Sequence, residues 1–158
     1  MLNILIFVLL VAVDQITKFF AVDRLKELVS VRIIEGFFSL TYVENRGAAF
    51  GMLQGGKWIF LAITAVVLVL IIIYYAKHKR TKENLWLRIA LTMVAAGAVG
   101  NAADRLIRGF VVDFFDFNIF GYDFPVFNFA DILVVVGTIL LAGGIIFMDD
   151  KQKGGEEE

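Results

Sequence analysis

The sequence contains no cysteine, one histidine and two serines among its 158 residues. Without cysteine, the chain has no disulfide framework, no thiol nucleophile and no thiolate metal site. Because His78 is the only histidine, a zinc site built on histidine ligands is disfavoured. Ser30 and Ser39 leave few candidates for a Ser–His mechanism. The formal net charge of −1 gives no electrostatic reason to expect nucleic-acid binding.

Apolar residues, by contrast, are far more frequent than in a water-soluble protein. Hydrophobic residues make up 59% of the chain and charged residues 20%, whereas soluble proteins average roughly 45–50% and about 25%. The length suits one domain, or about four membrane crossings of roughly 20 residues each. The composition therefore indicates an integral membrane protein.

Four apolar segments have the length of a membrane-spanning helix. The clearest, 58–76, has no charged residue and lies between Lys57 and Lys77, with aromatic residues near both ends. The others are 2–22, 85–103 and 126–148. The predicted fold class is an all-α integral membrane protein with four transmembrane helices. We predict a single domain of four membrane helices over 1–150, followed by a polar cytoplasmic tail at 151–158.

The first apolar segment also has to be compared with a cleaved signal peptide. It lacks a basic leading region, and no small-residue cleavage site follows it. Asp14 and Lys18 are four residues apart, so they share one helix face and are expected to pair. These features favour a helix that is retained in the protein.

The distribution of positive charge predicts that both termini are cytoplasmic. Basic residues divide equally between the two sides, but five of those on the inner side crowd the short connection 77–88. The positive-inside rule gives most weight to short loops. The longer loops, 23–57 and 106–125, are then extracytoplasmic.

The first of these loops contains a predicted β-hairpin. The stretch 29–43 is rich in β-branched and aromatic residues, and Glu35-Gly36 provides a turn. We therefore expect a small β-rich element between helices one and two. A short amphipathic element at the membrane interface is expected over 47–53.

Polar side chains in the apolar segments lie in one layer near the outer ends of the helices. Such residues are costly in a membrane and usually functional. The small-residue stretch 95–103, which contains one of them, predicts close helix packing. With the neighbouring Asp113, the polar residues are Asp14, Lys18, Asn101, Asp104, Arg105, Asn128 and Asp131.

Two carboxylates in a partly wet, low-dielectric pocket form an acid–base couple, because both cannot ionise easily. One then activates a water molecule and the other protonates the carbonyl oxygen or the leaving nitrogen. Asp113 and Asp131 are the favoured pair. Residue types alone do not select them over Asp14, Asp104, Asp116 or Asp123. For Asp104 and Arg105, an ion pair or interfacial clamp is as plausible as a direct role, and for Asp14 and Lys18 a structural role is favoured.

Five short motifs occur in an order that resembles the bacterial lipoprotein signal peptidases, signal peptidase II. Each motif alone is weakly specific, but the ordered series is highly specific, and it extends from Asp14 to Asp131. The motifs are Asp14-Gln15-Ile16-Thr17-Lys18, Glu44-Asn45-Arg46-Gly47-Ala48-Ala49-Phe50, Gly100-Asn101-Ala102-Ala103-Asp104-Arg105, Val111-Val112-Asp113-Phe114 and Phe127-Asn128-Phe129-Ala130-Asp131.

The resemblance implies an aspartic endopeptidase of the bacterial inner membrane that uses no metal or cofactor. Its catalytic aspartates correspond to Asp113 and Asp131. By similarity, polar positions that line the pocket are Asn45, Asn101, Arg105 and Asn128, and supporting positions are Asp14, Lys18 and Asp104. The β-rich stretch corresponds to an extracytoplasmic cradle, and the region 47–55, beginning at Gly47, to a mobile flap over the site.

The resemblance also implies the partners. The substrate is a prolipoprotein whose signal peptide is removed just before a cysteine that carries a diacylglyceryl group, and globomycin-type inhibitors block the enzyme. We further expect contact with membrane lipid, no nucleic-acid partner and a monomer.

Two features fall outside the family pattern, and two other functions compete with it. The resemblance does not explain Glu44, Arg46 or the acidic end Glu156-Glu157-Glu158. A small proton-coupled transporter also uses membrane aspartates, but it needs polar groups in the inner half of the bilayer, and segments 58–76 and 85–103 have almost none there. A non-catalytic adaptor would tolerate the substitution Asp113→Asn.

Overall fold

A computed structural model describes residues 2–47, 55–82 and 84–154 of the chain, with side chains described as far as residue 144. Four helices account for most of it, and each of the four predicted apolar segments contains one. They are α1 (Leu2–Leu25), α2 (Lys57–Lys77), α3 (Leu85–Ile107) and α4 (Phe129–Gly154).

Three of these helices are long and apolar enough to cross a membrane, namely α1, α2 and α3. The described apolar part of α4, Phe129–Gly144, is shorter. Helix α2 has one buried residue, Ile71, and presents most of its apolar side chains outward. Such outward-facing apolar surface is expected of a helix surrounded by lipid.

A four-stranded antiparallel sheet lies beside the helices, in the order β1-β2-β3-β4. The strands are β1 (Ser30–Ile34), β2 (Phe38–Asn45), β3 (Val111–Ile119) and β4 (Tyr122–Asp123). Strands β1 and β2 form the predicted hairpin. Its turn contains Gly36 at φ +68°, a conformation that glycine adopts without strain.

The sheet is larger than the β-rich element predicted between helices one and two. Strands β1 and β2 lie in that connection, but β3 and β4 come from the connection between α3 and α4. The first four residues of β3, Val111 to Phe114, are all buried. A strand that is buried on both faces lacks the alternation of apolar and polar residues that identifies a half-exposed strand. Val112 and Phe114 pack against Ala21 and Leu25 of α1, which fixes the sheet to the helices.

Close packing of α3 places the polar layer, as the small-residue stretch predicted. Gly97 lies so close to α4 that an added Cβ would meet the carbonyl oxygen of Ala130. An added Cβ at Gly100 would meet the carboxylate of Asp14 on α1. Glycine at these positions therefore lets three helices approach closely at the level where their polar side chains lie.

Candidate active site

Asp113 lies on β3, on the part of the strand that is buried beneath the helices. Its side chain is almost inaccessible, with an exposed fraction of 2% for the residue. One carboxylate oxygen accepts a hydrogen bond from Asn45 Nδ2 at 2.9 Å, and the other accepts one from Asn128 Nδ2 at 2.6 Å. Asn45 reaches this position because β2 pairs with β3, with Val43 opposite Asp113.

Asp131 is held by the way in which α4 begins. Asn128 precedes the first residue of the helix, and its side-chain oxygen accepts a hydrogen bond from the backbone N–H of Asp131 at 3.0 Å. In return, the Asp131 carboxylate accepts one from the backbone N–H of Asn128 at 3.1 Å. This reciprocal pattern is a capping box, built here from asparagine and aspartate. The helix cap thus fixes the orientation of a candidate catalytic carboxylate.

Two asparagines connect the carboxylates. Asn101 Nδ2 donates to the second Asp131 oxygen at 2.8 Å, and Asn128 Nδ2 lies 3.2 Å from Asn101 Oδ1. Since Asn128 also donates to Asp113, the two aspartates belong to one hydrogen-bonded network. Each of their four oxygens accepts at least one hydrogen bond from an N–H group.

Burial and charge raise the pKa of Asp113 from 3.8 to about 6. Burial contributes most, because it penalises the ionised form, and the nearby charge of Asp131 acts in the same direction. Hydrogen bonds from Asn45 and Asn128 oppose the shift. A carboxyl group with this pKa can accept or donate a proton near neutral pH, which general acid–base catalysis requires.

Next to the two aspartates lies an ionic cluster that consists of Lys18, Asp14 and Asp104. Lys18 Nζ is 3.0 Å from the Asp14 carboxylate, which confirms the expected pair, and 3.2 Å from that of Asp104. Asp104 also forms an ion pair with Arg108. The side chains of Lys18, Asp14 and Asp104 are wholly inaccessible. Lysine is almost never buried unless it is paired, and here it has two carboxylate partners.

This cluster contacts the network of the aspartates directly. Lys18 donates to Asn101 Oδ1 at 2.8 Å, so the Asn101 amide must turn its N–H group toward Asp131. Asp14 accepts a hydrogen bond from the backbone N–H of Ala130 at 2.9 Å, in the first turn of α4. An anion at this position satisfies an N–H group that the helix itself leaves free.

Arg105 and Gly47 lie at the edge of the same site. The Arg105 guanidinium donates to the Gly47 carbonyl oxygen at 3.1 Å and lies 4.4 Å above the ring of Phe60 on α2. An ion pair between Asp104 and Arg105, one of the alternatives that the sequence left open, is not formed among the described residues, because Asp104 pairs with Lys18 and Arg108 instead. Arg105 therefore connects α3 to α2 and to the end of β2, which is a clamp.

A cleft of about 520 Å³ opens over the carboxylates. This volume lies within the range of small-ligand sites, about 300–1,000 Å³. The residues that carry hydrogen-bonding groups into it are Asn45, Gly47, Thr64, Asn101, Arg105, Asp113 and Asp131, and most of the remaining wall is apolar. The expected amphipathic element and most of the expected flap fall on 48–54, which lie outside the described residues.

The other aspartates that the sequence left open lie elsewhere. Asp116 accepts a hydrogen bond from Thr41 Oγ1 at 2.6 Å, and Asp123 accepts one from Asn118 at 2.7 Å. Both line a separate depression on the sheet. The described residues contain no group of three or more histidine, cysteine, aspartate or glutamate side chains arranged to hold a metal ion.

Sequence reasoning overlooked two polar contributors and the helix cap. Gln15 donates to Asp14 at 3.0 Å and to the Gly100 carbonyl oxygen at 3.2 Å, and Arg108 pairs with Asp104. The spacing of Asp104 and Arg108, four residues apart in one helix, would have predicted their contact. Similarly, Asn128 three residues before Asp131 matches the spacing of a capping box.

Comparisons with known proteins agree on one family. The family model described as "Signal peptidase (SPase) II" matches residues 6–147. The lipoprotein signal peptidase of Clostridium acetobutylicum is 46% identical, and the alignment covers 97% of this chain and 99% of that protein. The Clostridioides difficile protein of the same name is 42% identical, with 97% and 100% covered. A solved bacterial membrane enzyme superposes with a TM-score of 0.80 at 38% identity, covering 96% of this chain and 90% of that one.

Proposed function

Because the chain belongs to the signal peptidase II family, the aspartic proteases of lipoprotein processing, we propose that it removes signal peptides from diacylglyceryl-modified prolipoproteins. The scissile bond is the one just before the lipidated cysteine. One observation carries this proposal: Asp113 and Asp131 line one cleft, and neither forms an ion pair with a lysine or arginine of the described residues.

The proposed mechanism uses these two carboxylates and one water molecule. The ionised carboxylate takes a proton from water, and the resulting hydroxide attacks the carbonyl carbon of the scissile amide. The protonated carboxyl group gives its proton to the carbonyl oxygen. When the tetrahedral intermediate collapses, the carboxyl group that took the proton from water gives it to the leaving nitrogen, and the other carboxylate takes a proton from a hydroxyl group of the intermediate. The pair is then singly protonated as at the start.

The amide side chains around the pair hold it in place by hydrogen bonds rather than by ion pairs. Asn45, Asn101 and Asn128 donate to the carboxylates at 2.6–2.9 Å. We assign Asn45, Asn101, Arg105 and Asn128 to orienting the aspartates and the substrate backbone. An unpaired substrate amide would cost several kcal/mol in hydrocarbon, so polar groups at the cleft are needed.

The ionic cluster supports this arrangement from below. Lys18 fixes the orientation of Asn101, and Asp14 holds the first turn of α4 through Ala130. Asp104 accepts a hydrogen bond from the backbone N–H of Val112, next to Asp113, at 3.2 Å. We therefore give Asp14, Lys18 and Asp104 a supporting rather than a chemical role.

We place the protein in the bacterial inner membrane with four crossings, both termini in the cytoplasm and the cleft near the outer face. Helix α4 is the fourth crossing, and its described apolar part ends at Gly144. The outer ends of α1 and α3 then carry the polar network, where water enters from one side and a lipidated substrate from the bilayer. We propose one domain over 1–150, a polar end at 151–158 whose first four residues continue α4, and a role for 47–55 in closing over the cleft.

The proposed partners follow from the same family membership. A prolipoprotein supplies the signal peptide, and a globomycin-type inhibitor is expected to occupy the same cleft. We propose that the active form is a monomer, since all residues assigned to the site come from one chain. Family membership does not favour proton-coupled transport.

The decisive experiment is cleavage of a purified diacylglyceryl-modified prolipoprotein by wild type, Asp113→Asn and Asp131→Asn. Asparagine preserves the size of the side chain but cannot exchange a proton. We expect each variant to remain folded and to lose cleavage by about 10²–10⁴-fold, the usual contribution of a general acid or base. Near-wild-type cleavage by a folded variant would exclude that residue from the pair.

Asp116→Asn is the matched control. Asp116 lies three residues from Asp113 on the same strand, but its carboxylate accepts from Thr41 and lines the separate depression on the sheet. We expect this variant to cleave within about twofold of wild type, as most surface substitutions have small effects. A large loss here would mean that the assay reports damage to the sheet rather than to the catalytic pair.

A further inference from the structure

A second cleft lies between α1, α2 and α3, at the end of the bundle opposite the aspartates. Its volume is about 560 Å³. Asn3 at the start of α1, Arg80 just after α2 and Arg88 near the start of α3 lie at one end of it. The remaining wall, from Leu68 to Val99, consists mainly of apolar side chains of the three helices. The cleft therefore has a basic end and an apolar length.

The polar end contains hydrogen-bonding atoms that the protein itself does not use. Both side-chain polar atoms of Asn3 and the Nε of Arg88 are buried and have no hydrogen-bond partner among the described residues. Native proteins leave few buried polar atoms unsatisfied, because each costs free energy. Atoms of this kind at the end of a cleft indicate that a bound molecule supplies their partners.

Arg88 is held in position rather than free to turn into solvent. Its guanidinium lies 4.3 Å above the ring of Tyr75 and donates to the His78 carbonyl oxygen at 2.9 Å. The Tyr75 hydroxyl in turn donates to the backbone carbonyl of Arg88 at 2.7 Å. A fixed arginine beside an open cleft is suited to bidentate recognition of a phosphate.

We propose that this cleft binds one anionic phospholipid. Its phosphate contacts Arg80 and Arg88, its glycerol region bonds to Asn3, and an acyl chain lies along the apolar wall of α1, α2 and α3. Basic pockets between transmembrane helices bind anionic lipid head groups by the same chemistry. A signal-peptide helix fits less well, because its leading region is positively charged and the two arginines repel it. The proposal does not depend on the protease activity.

The test measures lipid binding to the full-length protein in neutral detergent by native mass spectrometry. Phosphatidylglycerol and phosphatidylcholine with identical acyl chains are added at equal concentrations. We expect one tightly retained phosphatidylglycerol and a preference of at least about fivefold over phosphatidylcholine, the factor expected from one arginine at an anionic surface. Equal binding of the two lipids would overturn the proposal.

Two pairs of variants locate the lipid. Arg80→Gln is expected to reduce the preference by about fivefold, whereas Lys79→Gln, which removes the same charge outside the cleft, is expected to keep it. Ile72→Trp fills the cleft and should prevent retention, while Ile73→Trp on the next position should not. If either control behaves like its partner, the lipid is not held in this cleft.

Inorganic phosphate distinguishes a lipid site from a simple anion site. At concentrations far above that of the lipid, phosphate should not displace phosphatidylglycerol, because it cannot fill the apolar part of the cleft. Complete displacement would show that the arginines bind the anion alone. The lipid proposal would then be wrong.

Discussion

The protein holds two pairs of carboxylates a short distance apart, three of the four fully buried and Asp131 partly exposed, and satisfies the two pairs in opposite ways. Asp14 and Asp104 contact cations, namely Lys18 and, for Asp104, also Arg108. Asp113 and Asp131 accept hydrogen bonds only from asparagine amides and backbone N–H groups among the described residues. Yet the two groups are connected, because Lys18 and Asp131 bond to the same asparagine, Asn101.

This difference explains why one pair of carboxylates is suited to stabilising the fold and the other to transferring protons. A neighbouring cation favours the charged form of a carboxylate, so a carboxylate in an ion pair is a poor proton carrier. Neutral amide donors fix the position of a carboxylate and also favour its ionised form, but at Asp113 this effect is smaller than that of burial. The pKa of Asp113 rises to about 6 because burial, and then the charge of Asp131, outweigh the hydrogen bonds and the more distant Lys18, none of which pairs with it as a direct ion-pair partner. We therefore expect the first pair to determine stability and the second to determine activity.

The largest expected effect on stability comes from Lys18→Met. This change leaves Asp14 without its cation in a fully buried site, and Asp104 keeps only Arg108. Removing one partner of a buried ion pair typically costs about 3–5 kcal/mol. The free energy of unfolding should fall by this amount when it is measured by SDS titration in mixed micelles.

Lys26→Met controls for the loss of a positive charge. Lys26 is exposed beyond the end of α1, so its substitution should change the free energy of unfolding by less than about 0.5 kcal/mol. Equal losses for the two lysine variants would remove the distinction between a buried cluster and a surface charge. The claim that the ion pairs of Asp14 and Asp104 determine stability would then be wrong.

A smaller effect concerns the pH dependence of stability. The folded-state pKa of Asp113 is raised from 3.8 to about 6, so the folded protein binds more protons than the unfolded one between these values. Stability from protonated Asp113 is therefore present below about pH 4 and is lost as the pH rises through 6. Relative to Asp113→Asn, the free energy of unfolding of wild type should fall by up to about 3 kcal/mol over this range.

The same pair of proteins provides an internal control. Above pH 7 the difference between wild type and Asp113→Asn should no longer change with pH, because the carboxylate is then ionised in both states of wild type. A difference that is constant from pH 4 to 7 would show that folding does not raise the pKa of Asp113. It would also contradict the view that Asp113, which has no ion-pair partner among the described residues, takes up a proton near neutral pH.

Much of this arrangement could be predicted from local sequence patterns. Apolar runs located the four helices, the stretch 95–103 indicated their close packing, and the spacing of Asp14 and Lys18 predicted their pairing. Each of these features depends on residues that are near one another in the chain. The ordered motifs added the family.

Long-range contacts could not be predicted in the same way. The pairing of β3 with β2 brings Asp113 beside Asn45, 68 residues away in sequence, and no local pattern specifies it. The buried strand 111–119 also lacks alternation, so it was not recognised as part of the sheet. For the same reason, the sequence could offer Asp104 only its neighbour Arg105 as one possible partner, whereas the fold gives it Lys18 of another helix.

The smallest effect distinguishes the two cations of Asp104. Arg108 is partly exposed, with 25% of its side chain accessible, and Asp104 retains Lys18 and the Val112 N–H when Arg108 is removed. Arg108→Gln should therefore cost about 1 kcal/mol or less, as exposed ion pairs do. In a Lys18→Met background the same change should cost more, because Asp104 then has no cation. A double-mutant cycle of unfolding free energies measures this coupling. Additive losses would mean that Lys18 and Arg108 act on Asp104 independently. Asp104 would then not depend on keeping at least one cation partner, and its role as a carboxylate stabilised by cations would be wrong.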